Sequence, residues 1–108
     1  MKTDLKIVFM GTPDFAVPSL NALIDNGYNV VAVVTQPDKP VGRKMVLTPC
    51  PVKVTALNKG VKVLQYAKIK NEGVGDLKEL NPDLIVTCAF GQILTQEIID
   101  IPRLGIIN

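Results

Sequence analysis

The chain has 108 residues, of which 47% are hydrophobic and 5% aromatic, with no Trp and no His. A domain of this size buries about two-thirds of its unfolded surface, and an interior made of Val, Ile and Leu fits buried parallel strands and disfavours an all-β fold. Twelve basic and ten acidic residues leave a formal charge of +2, which excludes nucleic-acid binding driven by the field of the whole molecule.

Five short apolar stretches, Lys6 to Met10, Val30 to Thr35, Val61 to Gln65, Asp83 to Cys88 and Gly105 to Ile107, are each followed by turn residues or a helical pattern. They predict five parallel strands. After the first, Gly11 to Phe15 forms a tight turn. Pro13 and Pro18 cannot both take a first helical position, so the main helix starts near Pro18, and Asn26-Gly27 stops it. Pro37 to Pro51 holds four of the eight prolines plus Gly42, is long for an α/β connection, and predicts an exposed, partly mobile loop. Three further helices are expected: Pro51 to Asn58, closed by Gly60; Ile69 to Leu80, weakened at its front by Gly73 and Gly75; and Gln92 to Asp100.

Right-handed crossovers carry strands one, two and three outward on one side and bring strand four back to the other side of strand one. The expected fold is therefore α/β, a Rossmann-like open parallel sheet of order 3-2-1-4-5. Ligands of such sheets bind beyond the carboxyl ends of the strands where the order reverses. Here that is between the Gly11-Thr12 turn and the Ala89-Phe90-Gly91 turn, with Asn108 closing the fifth strand on the same rim.

Gly11-Thr12-Pro13-Asp14-Phe15 lacks the further glycines of a dinucleotide fingerprint, and Thr35-Gln36-Pro37 supplies no acidic residue for a ribose, so NAD is disfavoured. A plain structural turn accounts for that segment. Lys39, Arg43, Lys44 and Lys53 are opposed within their stretch only by Asp38 and can reach phosphate oxygens, although an ordinary solvated loop has the same composition. Around Gly91, the run Phe90-Gly91-Gln92-Ile93-Leu94 could let a flat heterocycle lie against backbone groups; strand-to-helix packing is the plainer account. The Asn108 amide can donate to a developing oxyanion, against the alternative of a solvent-facing strand end.

Cys50 and Cys88 belong to no Cys-x-x-Cys or Cys/His cluster, so neither a disulfide framework nor a metal site is expected. The longest apolar runs fall far short of the roughly 18 residues that span a bilayer, and no signal-peptide architecture is present. A cytoplasmic location without membrane contact follows. The lack of His removes the side chain most often used for acid/base work near neutral pH. A phosphoacceptor receiver domain is disfavoured because Met10-Gly11-Thr12 and Gln65-Tyr66 stand where its acidic residues would be.

Several segments together resemble one family. Lys6-Ile7-Val8-Phe9-Met10-Gly11-Thr12-Pro13-Asp14-Phe15-Ala16, Val34-Thr35-Gln36-Pro37-Asp38-Lys39-Pro40-Val41-Gly42-Arg43, Thr48-Pro49-Cys50-Pro51-Val52-Lys53 and Pro102-Arg103-Leu104-Gly105-Ile106-Ile107-Asn108 occur in the order and register of the folate-dependent formyltransferases, and within them of those acting on methionyl-tRNA. The resemblance implies formyl transfer from 10-formyltetrahydrofolate, as co-substrate, to the amino group of methionyl initiator tRNA in translation initiation, without a metal. It assigns Asn108 to polarising the formyl carbonyl, Phe90, Gly91, Ile93 and Leu94 to the pterin pocket, and Arg43, with Lys39 and Lys44, to the tRNA acceptor end. Residues 1–108 are then the N-terminal portion of a catalytic domain. A His two residues after Asn108, a downstream Asp, a Ser-Leu-Leu-Pro stretch and a C-terminal tRNA-holding domain are absent, so this portion is expected to be inactive alone, and the full-length enzyme monomeric. The family often continues after Arg43 with a glycine and two lysines, whereas this chain reads Lys44-Met45-Val46-Leu47 and is less basic there. Two alternatives remain: a formyltransferase acting on an amino sugar nucleotide or a glycinamide ribotide, and a non-enzymatic doubly wound binding domain.

Overall fold

Alternate residues of a strand leave a sheet on opposite sides, and in the first strand both sides are apolar. β1 (Lys6–Gly11) sends Val8 and Met10 to one face and Phe9 to the other, and all three are completely buried. Each such side chain contributes about 1.5–3 kcal/mol on burial, so β1 must lie at the centre with cover on both faces. In the computed structural model, which describes residues 4–108, it does.

The chain runs from β1 through one turn of 3-10 helix (Asp14–Ala16) into α1 (Val17–Asp25), then β2 (Asn29–Thr35), a hairpin of β3 (Lys39–Val41) and β4 (Val46–Thr48), and α2 (Pro51–Asn58). It continues through β5 (Val63–Gln65), α3 (Ile69–Glu72), α4 (Val74–Leu80), β6 (Leu84–Cys88), α5 (Gln96–Ile99) and β7 (Ile106–Ile107). The main sheet is wholly parallel, in the order β5-β2-β1-β6-β7. This is the order 3-2-1-4-5 that right-handed crossovers require.

Helices α1 and α2 cover one face, with Leu20, Val52 and Ala56 packed on Phe9 and Val33. The other face carries α3, α4 and α5, with Ile69, Leu77 and Ile98 packed on Val8, Met10 and Ile85. Where β1 ends, Gly11 pairs with Cys88 of β6. A Cβ there would lie 2.8 Å from the Cys88 carbonyl oxygen and 2.8 Å from the Phe9 ring, so the central crossing is closed to any residue larger than glycine.

Three segments depart from the expected elements. The stretch read as a loop, Pro37 to Pro51, is exposed along the hairpin but ordered into an antiparallel pair, Lys39 with Thr48, Pro40 with Leu47 and Val41 with Val46. Its turn bends through left-handed Gly42 and Met45, with the Met45 N–H donating to the Gly42 carbonyl at 3.1 Å. The helix expected from Ile69 to Leu80 is broken at Gly73, where a Cβ would lie 2.7 Å from Ile69 Cγ1 and 3.0 Å from the Tyr66 ring. The helix expected from Gln92 to Asp100 shrinks to Gln96–Ile99. Gly91 takes φ +93°, and the Gln92 side chain is drawn off to distant backbone groups, so helix geometry is not reached until Gln96, with Thr95 still extended.

At the opposite edge, one carboxylate joins three strand starts. Asp83 Oδ2 accepts from the Lys6 N–H at 2.8 Å and Oδ1 from Arg103 Nε at 2.8 Å, while its backbone N–H and carbonyl bond to Lys6 and Leu104. The Lys6 N–H first, and then the Arg103 guanidinium, hold the Asp83 carboxyl below its usual range. A carboxylate depressed in the folded state stabilises fully above its unfolded pKa, about 4, and that contribution is lost as pH falls through the lower folded value. The melting temperature is therefore expected to drop as pH is lowered below about 4. Asp83→Asn should melt lower than wild type at neutral pH and lose less on acidification; parallel melting curves across the acid range would exclude Asp83 as the source.

Candidate functional site

Parallel pairing sends the carboxyl ends of β1, β6 and β7 to one rim, with Gly11 beside Cys88 and Val86 beside Ile107. A cleft of about 230 Å³ opens there, lined by Thr87, Ala89, Phe90, Gly91, Gln92, Leu94 and Asn108. Pockets for drug-sized ligands run to about 300–1,000 Å³. This one therefore takes part of such a molecule, the size of a fused heterocycle.

Ala89 at φ +52° and Gly91 at φ +93° both take left-handed backbone, which turns the chain out of β6 and lays peptide groups along the cleft wall. The Phe90 ring is buried in the core on the α3–α5 face. Its carbonyl accepts from Thr12 Oγ1 at 2.9 Å. Leu94 is half-buried and packs on the same core. Ile93 stands apart: it is 89% exposed and lines a neighbouring depression with Ala67, Lys68 and Lys70. Asn108 is exposed at the mouth, where its Oδ1 accepts from the Thr87 hydroxyl at 3.3 Å. That bond orients the side chain while leaving its Nδ2 donors outside the pair.

The cleft wall is held by side chains that the sequence pattern did not single out. Gln36 Nε2 donates to the Gly91 carbonyl at 2.9 Å, and Gln36 Oε1 accepts from Gln92 Nε2 at 2.8 Å. Gln92 Nε2 also donates to the Tyr66 carbonyl at 2.7 Å, and its Oε1 accepts from the Ile69 N–H at 2.8 Å. The Gln36 backbone is held in turn, its N–H donating to Thr12 Oγ1 and its carbonyl accepting from Gln65 Nε2. The available signal was positional: Gln36, Gln65 and Gln92 each stand at or just past the carboxyl end of a different strand.

Beside the cleft, the hairpin carries Lys39, Arg43 and Lys44, all exposed and none in an ion pair with another described residue. Lys53 does not join them. Its Nζ donates to both Asp38 oxygens, at 3.0 and 3.1 Å, and to Gln65 Oε1 at 3.0 Å. The Gln65 amide first, then Lys53, hold the Asp38 carboxyl below its usual range. With Asp38 neutralised in this way, the hairpin presents positive charge unopposed. A second concavity of about 370 Å³ lies between hairpin and rim, lined by Pro37, Val41, Pro49 and Pro51 together with Thr12 and Lys39. Cys50 and Cys88 are free thiols. The described residues contain no cluster of three or more His, Cys, Asp or Glu able to hold a metal, and no helix long and apolar enough to cross a membrane.

The shape of the wall depends on Gly91, where a Cβ would combine a strained φ with a 2.7 Å approach to Gln36 Nε2. Gly91→Ala is expected to cost about 1–3 kcal/mol of stability, read by denaturant melts. An unchanged midpoint would show that this turn relaxes freely.

Comparison with known proteins bears on this geometry directly. The family model described as "Formyl transferase" matches residues 5–108. The methionyl-tRNA formyltransferase of Ruminiclostridium cellulolyticum is 59% identical over 105 residues, covering 96% of this chain and 34% of that protein. That of Bacillus subtilis is 60% identical over 104 residues, covering 95% of this chain and 33% of that protein. The chain thus spans about a third of the length of the curated relatives it matches. Among solved structures, phosphoribosylglycinamide formyltransferase from Bacillus halodurans superposes with a TM-score of 0.67 at 15% identity, covering 94% of this chain and 53% of that one, and shares the fold. The match across the whole rim, from the strand entering Gly11 to Asn108, places this chain in the formyl transferase family.

Proposed function

We propose that the protein carrying this chain transfers a formyl group from 10-formyltetrahydrofolate to the amino group of methionine esterified to initiator tRNA, at the start of translation. The observation that supports the reading most is the cleft in which the Asn108 amide faces the left-handed turn at residues 89–91. The names of the relatives supply the acceptor: proteins 59–60% identical to this chain are methionyl-tRNA formyltransferases.

In this scheme the folate supplies the activated formyl carbon. The peptide groups around Gly91 lie against its flat pterin, with Phe90 and Leu94 backing the wall and Ile93 at the adjoining opening. Attack by the amine moves electrons onto the formyl oxygen, and Asn108 Nδ2 donates a hydrogen bond to that growing charge. Thr87 keeps the amide aimed by donating to its oxygen. The attacking nitrogen must lose a proton, and the resemblance gives that task to a His two positions beyond Asn108 and an Asp that orients it. Lys39, Arg43 and Lys44 pair with phosphates of the acceptor end, Arg43 with two oxygens at once. The enzyme works as a cytoplasmic monomer and needs no metal.

Two measurements on the full-length protein test this. Asn108→Ala is expected to lower kcat/KM for formyl-methionyl-tRNA synthesis by about 10²–10³, and wild-type rates would remove Asn108 from the reaction. Arg43→Ala is expected to weaken filter-bound initiator tRNA and to reduce the slope of log affinity against log salt by about one. Equal binding with an unchanged slope would favour a small-molecule acceptor, an amino sugar nucleotide or a glycinamide ribotide.

A further inference from the structure

The side-chain amides of Gln36 and Gln92 each have only one orientation that satisfies their partners. Gln92 must turn Oε1 to the Ile69 N–H, which only donates, and Nε2 to the Tyr66 carbonyl, which only accepts. That choice makes Nε2 the group facing Gln36, so Gln36 must present Oε1 there and Nε2 to the Gly91 carbonyl. The backbone of Gln36 is fixed independently through Thr12 and Gln65. Gln65 also donates to Asp38 Oδ1 at 2.9 Å, at the foot of the basic hairpin. One glutamine therefore links the cleft wall, the start of α3 and the base of the hairpin.

We propose that Gln36 is a positioning residue: its amide holds the Gly91 carbonyl and thereby sets the backbone of residues 89–91 in the shape that the bound heterocycle requires. Its part in folate binding rests on the cleft being the folate site. Its part in shaping the turn does not. Gln36 touches no reacting atom; it acts through Gly91. None of its hydrogen-bond partners, Thr12, Thr35, Gln65, Gly91 and Gln92, is titratable, and the nearest charges along the chain of bonds, Asp38 and Lys53, neutralise each other.

This arrangement permits a reversible test. Gln36→Glu keeps the shape and exchanges the NH2 group for an oxygen. When ionised, the new carboxylate cannot donate and repels the Gly91 carbonyl. When protonated, it donates one O–H to that carbonyl and accepts from Gln92 with its other oxygen, restoring the native pattern. A carboxyl facing a carbonyl also protonates more readily than a free one. Gln36→Ala cannot be rescued in this way.

The full-length protein and both variants would be titrated with 5-formyltetrahydrofolate as probe by calorimetry, and hydrogen exchange at residues 89–92 and at Ile69 followed without ligand, each against wild type at the same pH. Near pH 8, Gln36→Glu should bind the probe about tenfold more weakly and exchange faster at those amides. Near pH 5 both differences should shrink to within about twofold, while Gln36→Ala stays weak and fast at both. Wild-type exchange in Gln36→Glu near pH 8, or a defect that lowering the pH leaves unchanged, would overturn the proposal. If wild type fails to bind the probe but exchange follows the expected pattern, the positioning role stands and the folate reading falls.

Discussion

The rim on which this site is built depends on the direct pairing of β1 with β6, and that pairing leaves no room for a side chain at Gly11. A Cβ there would press on the Cys88 carbonyl and on the Phe9 ring together. Because the two strands can meet so closely, the chain leaves β1 at Thr12 within reach of the turn that follows β6. Thr12 then uses one hydroxyl twice, donating to the Phe90 carbonyl and accepting from the Gln36 N–H. A missing side chain in the central strand thus fixes where the polar contacts of the outer rim can form.

Beyond that point the cleft is held in a different way from the core. The sheet faces are apolar and packed, whereas the turn at residues 89–91 is braced by the amide of Gln36, just after β2, which is itself held by amides of Gln65, at the end of β5, and Gln92, before α5. A single neutral hydrogen bond contributes only about 0.5–1.5 kcal/mol net, which is small beside burial of a side chain such as Phe9. The amides matter for direction more than for stability, since each can point only one way. Elsewhere the same economy recurs: the Tyr66 hydroxyl donates to Asp76 at 2.6 Å, and burial, then that carboxylate, push its ionisation above the ordinary range, keeping it a neutral donor.

Much of this architecture was legible in the sequence because it follows from local rules. Apolar runs bounded by turns marked all five strands to within two residues, and crossover handedness gave their order. The rim rule likewise indicated that Asn108 and Gly91 would share one end of the sheet. What was not legible depends on long-range partners. The hairpin needs Pro40 opposite Leu47, a pairing hidden by the density of prolines. The break at Gly73 needs the Tyr66 ring, and the delayed start of α5 needs Gln92 to reach Tyr66 and Ile69. Gln36 and Gln92 lie 56 residues apart, and amides carry no periodicity that could announce such a pair. The exposed place of Ile93, beside the neighbouring depression, likewise follows the left-handed bend just before it, which no periodicity announces.

The hairpin is joined to the body differently from everything else. No strand of the main sheet pairs with β3 or β4, and its entry is pinned by Asp38 through Lys53 and Gln65. Pro40 removes a donor from one of its edges, which discourages neighbouring chains from adding to it. Its tip can therefore lengthen, shorten or change sign of charge without altering the register of a single core strand. Within one scaffold, the charge and length presented by the hairpin can drift while the rim stays fixed, so chains of this build can diversify first at the hairpin and last at the rim.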